Sequence, residues 1–119
     1  MKLLLDQMGQ LVALVKPLCQ DTETLTELHA MLHQEEDWPK AHYLATRIRN
    51  KGLQAIKRGD TKAEAQYAFE EVCAQTLHNL SALKQPFGPD APYWIIPLAL
   101  KLARVLEIDS RKILDIVVS

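Results

Sequence analysis

The chain has 119 residues, 48% of them hydrophobic and 24% charged, with a formal net charge of −1. That length supports one domain over residues 1–119 with a core that needs no staple, and the composition excludes a disordered chain and argues against a nucleic-acid binder built on bulk positive charge. No apolar run approaches the ~18 residues of a membrane span, and Asp6, Gln7 and Gln10 break the apolar start before any signal cleavage site, so a cytoplasmic location without membrane contact is expected.

Apolar residues recur at spacings of three and four, which predicts helices throughout and an all-α, single-domain bundle of five to six helices. Leu4, Leu5, Met8, Leu11, Val12 and Val15 form one stripe, closed near Pro17. Asp21 or Thr22 caps a second helix carrying Leu25, Leu28, Met31 and Leu32. Asp37-Trp38-Pro39 reads as a cap with proline in the first turn, opening a third helix through Tyr43, Leu44, Ile48, Leu53 and Ile56 that Gly59 ends. Thr61 and Glu64 have capping-box spacing at the start of a fourth helix, with Ala65, Ala68, Phe69, Val72, Cys73, Leu77 and Leu80 as its inner stripe. The Gly59-Asp60 junction is so short that helices three and four must form a central antiparallel hairpin.

Four of the six prolines lie between Pro86 and Pro97, beside Phe87, Tyr93 and Trp94. This predicts a stiff connector whose rings need a core, with Trp94 and Ile95 or Ile96 locking a fifth helix onto the hairpin. That helix is expected from about Pro97 through Leu98, Leu102, Val105 and Leu106, and a sixth from Asp109 or Ser110 through Ile113, Leu114 and Ile116. Cys19 and Cys73 have no metal-binding or redox spacing and read as reduced, buried thiols.

The small net charge conceals two opposed blocks. Six acids and no base lie between Pro17 and Pro39, and six bases and no acid run from Lys40 to Arg58. One reading makes the two helices neighbours that attract each other. The other makes the acidic block a docking surface for a basic partner, formed by Glu23, Glu27, Glu35, Glu36 and Asp37 with Trp38 as its anchor. Trp38 can equally staple the start of helix three to the core.

Catalytic patterns are scarce. There is no glycine-rich phosphate loop and no Gly-x-Ser-x-Gly elbow, so no catalytic residue and no cofactor is implied. His29 and His33, four apart, share a helix face, with Glu36 the nearest conceivable third ligand, but no metal motif surrounds them. Leu102, Ala103, Leu106, Ile108, Ile113 and Ile116 resemble the apolar spacing of a helix-turn-helix unit, with Glu107 where that family usually has glycine.

The segment from Pro86 to Leu106, with its Pro-Phe-Gly-Pro-Asp-Ala-Pro-Tyr-Trp-Ile-Ile-Pro run, resembles the approach to the last helices in small all-helical bacterial immunity proteins of polymorphic toxin systems. The resemblance implies a non-enzymatic protein that binds and neutralises a cognate toxin domain, here one with a basic surface. The alternative is a DNA-binding transcriptional regulator that uses the C-terminal helix pair.

Overall fold

The computed structural model describes the backbone of residues 2–83 and 91–118, with side chains described for 5–81 and 95–118. Its elements are α1 (Lys2–Val15), a 3-10 turn (Lys16–Leu18), α2 (Glu23–Met31), a 3-10 segment (Glu35–Lys40), α3 (Ala41–Arg58), α4 (Thr61–Leu83), α5 (Ala91–Val105) and α6 (Ser110–Val118). Among the described residues there is no strand, so the all-α bundle and its six helices stand. No described helix is long and apolar enough to cross a membrane.

The central hairpin is α3 against α4, the most extensive helix pair. Small residues let the two backbones approach: Ala41, Ala45 and Ala55 are fully buried on α3, and a Cβ added at Gly52 would stand 3.5 Å from Tyr67 Cβ. Gly59 turns the chain at φ +69°, and the Asp60 amide donates to the Ala55 carbonyl at 2.9 Å while the Gly59 amide donates to Ile56 at 3.0 Å. A residue with a Cβ resists that left-handed conformation, which is why glycine ends α3.

Around the hairpin, α4 also meets α5, α2 and the second 3-10 segment, while α1 packs on α2, α5 and α6. The core draws on all six helices, with Phe69, Cys73 and Leu77 of α4 surrounded by Met8, Leu11, Val12, Leu25, Leu28, Ile48, Leu102 and Ile113. Ile95 is buried, as the sequence predicts for Ile95 or Ile96. The Trp94 side chain lies outside the described residues.

Several local expectations change. The third helix does not start on an Asp37 cap: Glu35–Lys40 is a 3-10 segment with Pro39 inside it, and α3 begins at Ala41. The first turn of α4 is capped by Asp60, whose Oδ1 accepts from the Ala63 amide at 3.1 Å, rather than by a Thr61–Glu64 box. Helix five starts at Ala91, so Pro97 falls inside it instead of at its head. Leu53 and Ile56 are 50% and 54% exposed and do not belong to the inner stripe of α3. The α5–α6 turn passes through Glu107 at φ +61°. There the Ile108 amide donates to Ala103 at 2.8 Å, so the turn repeats the bonding pattern of Gly59 with a side chain in place of glycine, at a cost of about 1–2 kcal/mol.

Trp38 is 4% exposed and its indole Nε1 donates to the Met31 carbonyl at 2.8 Å. The ring therefore ties the 3-10 segment back to the end of α2. Trp38→Ala should destabilise the fold by about 3–5 kcal/mol through lost burial and a cavity, measured by urea denaturation, whereas Trp38→Phe, which keeps most of the packing and loses the indole bond, should cost clearly less.

Candidate functional site

Three places carry candidate chemistry: the acidic block, the outer side of the α3–α4 hairpin, and a polar network where α2 and the chain before it meet α3 and α4. The acidic block does not form one free surface. Arg47 on α3 makes a bidentate contact with Glu27 at 3.0 and 2.9 Å and reaches Glu23 at 3.0 Å. Lys51 reaches Asp21 at 3.0 Å and Glu23 at 3.8 Å. The reading of helices two and three as attracting neighbours is thus the one the structure supports for this half of the block. The Arg47 pairs are exposed, so each contributes only about 0–1 kcal/mol, whereas Lys51–Asp21 is partly buried.

The predicted anchor is also displaced. Trp38 is in the core and its indole hydrogen is already donated, so the free protein offers no tryptophan to a partner there. What remains of the predicted surface is Glu35 and Glu36, both exposed, and half-buried Asp37; none of the three forms an ion pair among the described residues.

The outer side of the hairpin carries apolar residues of the third helix that reach solvent. Tyr43 is 64% exposed, and with Leu53 and Ile56 it supplies three of the six large exposed apolar side chains on the described surface. Tyr43 lies against His42 with ring centroids 3.9 Å apart, and His42 lies 4.9 Å from His78 across on α4. Arg49 crosses the same way to Glu71 at 3.1 Å. Helical angle reveals Leu53, which falls beside Arg49 rather than on the seam of Ala41, Ala45, Ile48 and Ala55, but not Ile56, which lies within about 20° of Ala45.

The third place is a buried polar network. Glu70 has no exposed surface, and its carboxyl accepts from the Thr24 hydroxyl at 2.6 Å and from Gln66 Nε2 at 2.7 Å. Gln66 also donates to the Asp21 carbonyl at 2.6 Å, and Asp21 Oδ2 accepts from the Tyr67 hydroxyl at 2.6 Å and from Lys51. Burial pushes Glu70 above the usual carboxylate range, against the two donors that favour its charged form. The Tyr67 hydroxyl and Lys51 hold Asp21 down at about 2. Burial, then the Asp21 carboxylate, pushes the Tyr67 phenol up, and burial with Glu70 nearby pushes Cys19 to about 11 and Cys73 higher still. Cys73 is buried as expected and Cys19 half-buried, both as free thiols. Such thiols are poor nucleophiles.

His29 and His33 have ring centroids 6.0 Å apart, and among the described residues no group of three or more His, Cys, Asp or Glu is placed to hold a metal. Compared with protein-family models, curated proteins and solved structures, the chain matches none.

The network gives opposite pH dependences. The folded state holds the Glu70 proton more tightly than the unfolded chain, so this group's contribution to stability declines as pH rises from the ordinary value of 4.5 through the raised one. Asp21 acts oppositely: its contribution is present above 3.8 and is lost as pH falls through about 2. Glu70→Gln keeps the shape and removes the buried charge. It should raise stability at neutral pH and flatten the decline that sets in above the ordinary value of 4.5, read from urea midpoints across a pH series.

Proposed function

We propose that this protein is a non-enzymatic protein-binding domain that docks through the outer side of the α3–α4 hairpin. The observation that carries the reading is the half-exposed pair Leu53 and Ile56, with Tyr43 on the same helix. Tyr43 to Ile56 spans about 20 Å of helix, enough for the centre of a standard interface. Lys57 follows at the C-terminal end, and exposed Glu35 and Glu36 precede the N-terminal end. A matching partner is apolar opposite Leu53 and Ile56 and basic opposite Glu35 and Glu36.

The most concrete form of this reading is an immunity protein that neutralises a cognate bacterial toxin domain within the cytoplasm of the cell that makes it. Its support is the resemblance of Pro86 to Leu106, part of which lies outside the described residues, together with the free acidic pair. The product of the adjacent gene is the partner to test, by pull-down followed by binding kinetics. Leu53→Ala with Ile56→Ala should raise the off-rate by about tenfold or more, as loss of desolvated anchors does. Glu35→Lys with Glu36→Lys should lower the on-rate and its salt dependence. Wild-type kinetics in the alanine pair would remove the hairpin face as the interface.

A second reading, a DNA-binding regulator, is favoured by one observation: Glu107 adopts the left-handed turn that helix-turn-helix units usually give to glycine, with Arg104, Arg111 and Lys112 exposed around it. Against it, α6 ends in Asp115, Val117 and Val118, poor groove readers. Mobility-shift assays at moderate salt on random duplex should give no discrete complex, because the chain lacks phosphate-neutralising charge. A sequence-specific complex abolished by Arg111→Ala would establish the regulator instead.

A further inference from the structure

The Glu107 turn closes one side of a cavity of about 350 Å³. Its other walls are the chain after the first 3-10 turn, the C-terminus of α3 and the opening turns of α4. This volume lies at the lower end of the range of ligand pockets, about 300–1,000 Å³. Three groups on the inner wall are already occupied: Asp21 accepts from Tyr67, Lys51 and the Glu23 amide, and Gln66 Nε2 donates to Glu70 and to the Asp21 carbonyl. Two lining charges are not. Lys62 and Glu107 are exposed and form no ion pair among the described residues, and Arg58 is only loosely tied to Asp60 at 3.7 Å.

Glu107 is the one described non-glycine residue with a positive φ. Gly59 makes the same turn with no side chain to strain, so backbone geometry gives no reason for glutamate at 107. Its carboxylate does, because it places a negative charge at a cavity whose other wall carries Lys62 and Arg58. Apolar lining comes from Leu18, Val105 and Leu106. The Cys19 thiol, also in the wall, donates to the Val15 carbonyl at 3.3 Å and stays protonated, so the site is built for binding rather than covalent capture.

We propose that this cavity binds a free aliphatic amino acid, its ammonium group against Glu107, its carboxylate against Lys62 and Arg58, and its side chain against Leu18, Val105 and Leu106. The site is independent of the hairpin docking surface and goes beyond that reading. A peptide N-terminus brings only the cation and a C-terminus only the anion, so both chain ends fit less well than the free zwitterion.

The test is a nitrogen-15 NMR titration of the full chain with L-leucine, N-acetyl-L-leucine and L-leucinamide. L-leucine should shift the Lys62, Ala63 and Glu107 amides saturably, and each blocked derivative should bind about tenfold or more weakly, since each lacks one charge. Glu107→Gln, which keeps the turn's backbone demand, should weaken L-leucine by a similar factor, as should Lys62→Met. Glu107→Gly should also weaken binding while raising the thermal midpoint, so lost binding is separated from lost folding. No saturable shift up to about 10 mM L-leucine, equal binding of either blocked derivative, or wild-type affinity in Glu107→Gln would overturn the proposal.

Discussion

A carboxyl group with no exposed surface sits in the middle of the longest helix, and the placement of its neighbours follows from the need to bond it. Thr24 brings the first turn of α2 onto α4 to reach Glu70, and Gln66 bridges Glu70 to the backbone of the chain that leads into α2. Asp21 then gathers Tyr67 of α4 and Lys51 of α3. Apolar contact is non-directional and draws helices together without choosing their rotation. An unbonded polar group in the interior costs about 1–3 kcal/mol, so these bonds penalise every register but one. The network is best described as the device that orients α2 and α3 about α4.

The hairpin imposes the second constraint. Because Ala41, Ala45, Gly52 and Ala55 bring α3 close to α4, bulk on α3 is displaced to its flanks. Leu53 and Ile56 are left half-exposed outside the buried contact with α4. Leu44 and Ile48, by contrast, sit on the seam side and are buried.

Much of the fold was legible from spacing. Six helices, the glycine that ends α3 and the short junction behind it all carry strong local physics, and all are present, though the starts of α3 and α5 move. Asp37-Trp38-Pro39 has the composition of a helix cap, yet tertiary burial of Trp38 holds those residues in a 3-10 segment, and α3 starts later. The α4 cap shifted by one because Asp60 and Thr61 are both good caps and only geometry chooses between them. A proline suggests a boundary for helix five, yet Pro97 removes only one backbone bond from a helix packed on α4 and sits inside it. The candidate sites were less legible. The Thr24–Glu70–Gln66–Asp21 network joins residues some 45 positions apart and leaves no local pattern. Glu107 was legible only as a missing glycine, and what the missing glycine meant depended on seeing its backbone angle.

Charge blocks illustrate why a linear signal underdetermines a surface. Six acids facing six bases in sequence suggest either an internal handshake or two interfaces, and the chain divides them between both roles. Asp21, Glu23 and Glu27 face α3 across a helix contact and pair with Arg47 and Lys51, whereas Glu35 and Glu36 lie beyond the end of α2, where no cation of α3 reaches them. A partner that used Glu23 or Glu27 would first have to displace Arg47 from a bidentate contact and leave a guanidinium unpaired. A partner that used Glu35 and Glu36 displaces only water. In the proposed docking, the unpaired acids would accelerate encounter and the exposed apolar residues would slow dissociation. The paired acids hold the scaffold that keeps the two in fixed relation.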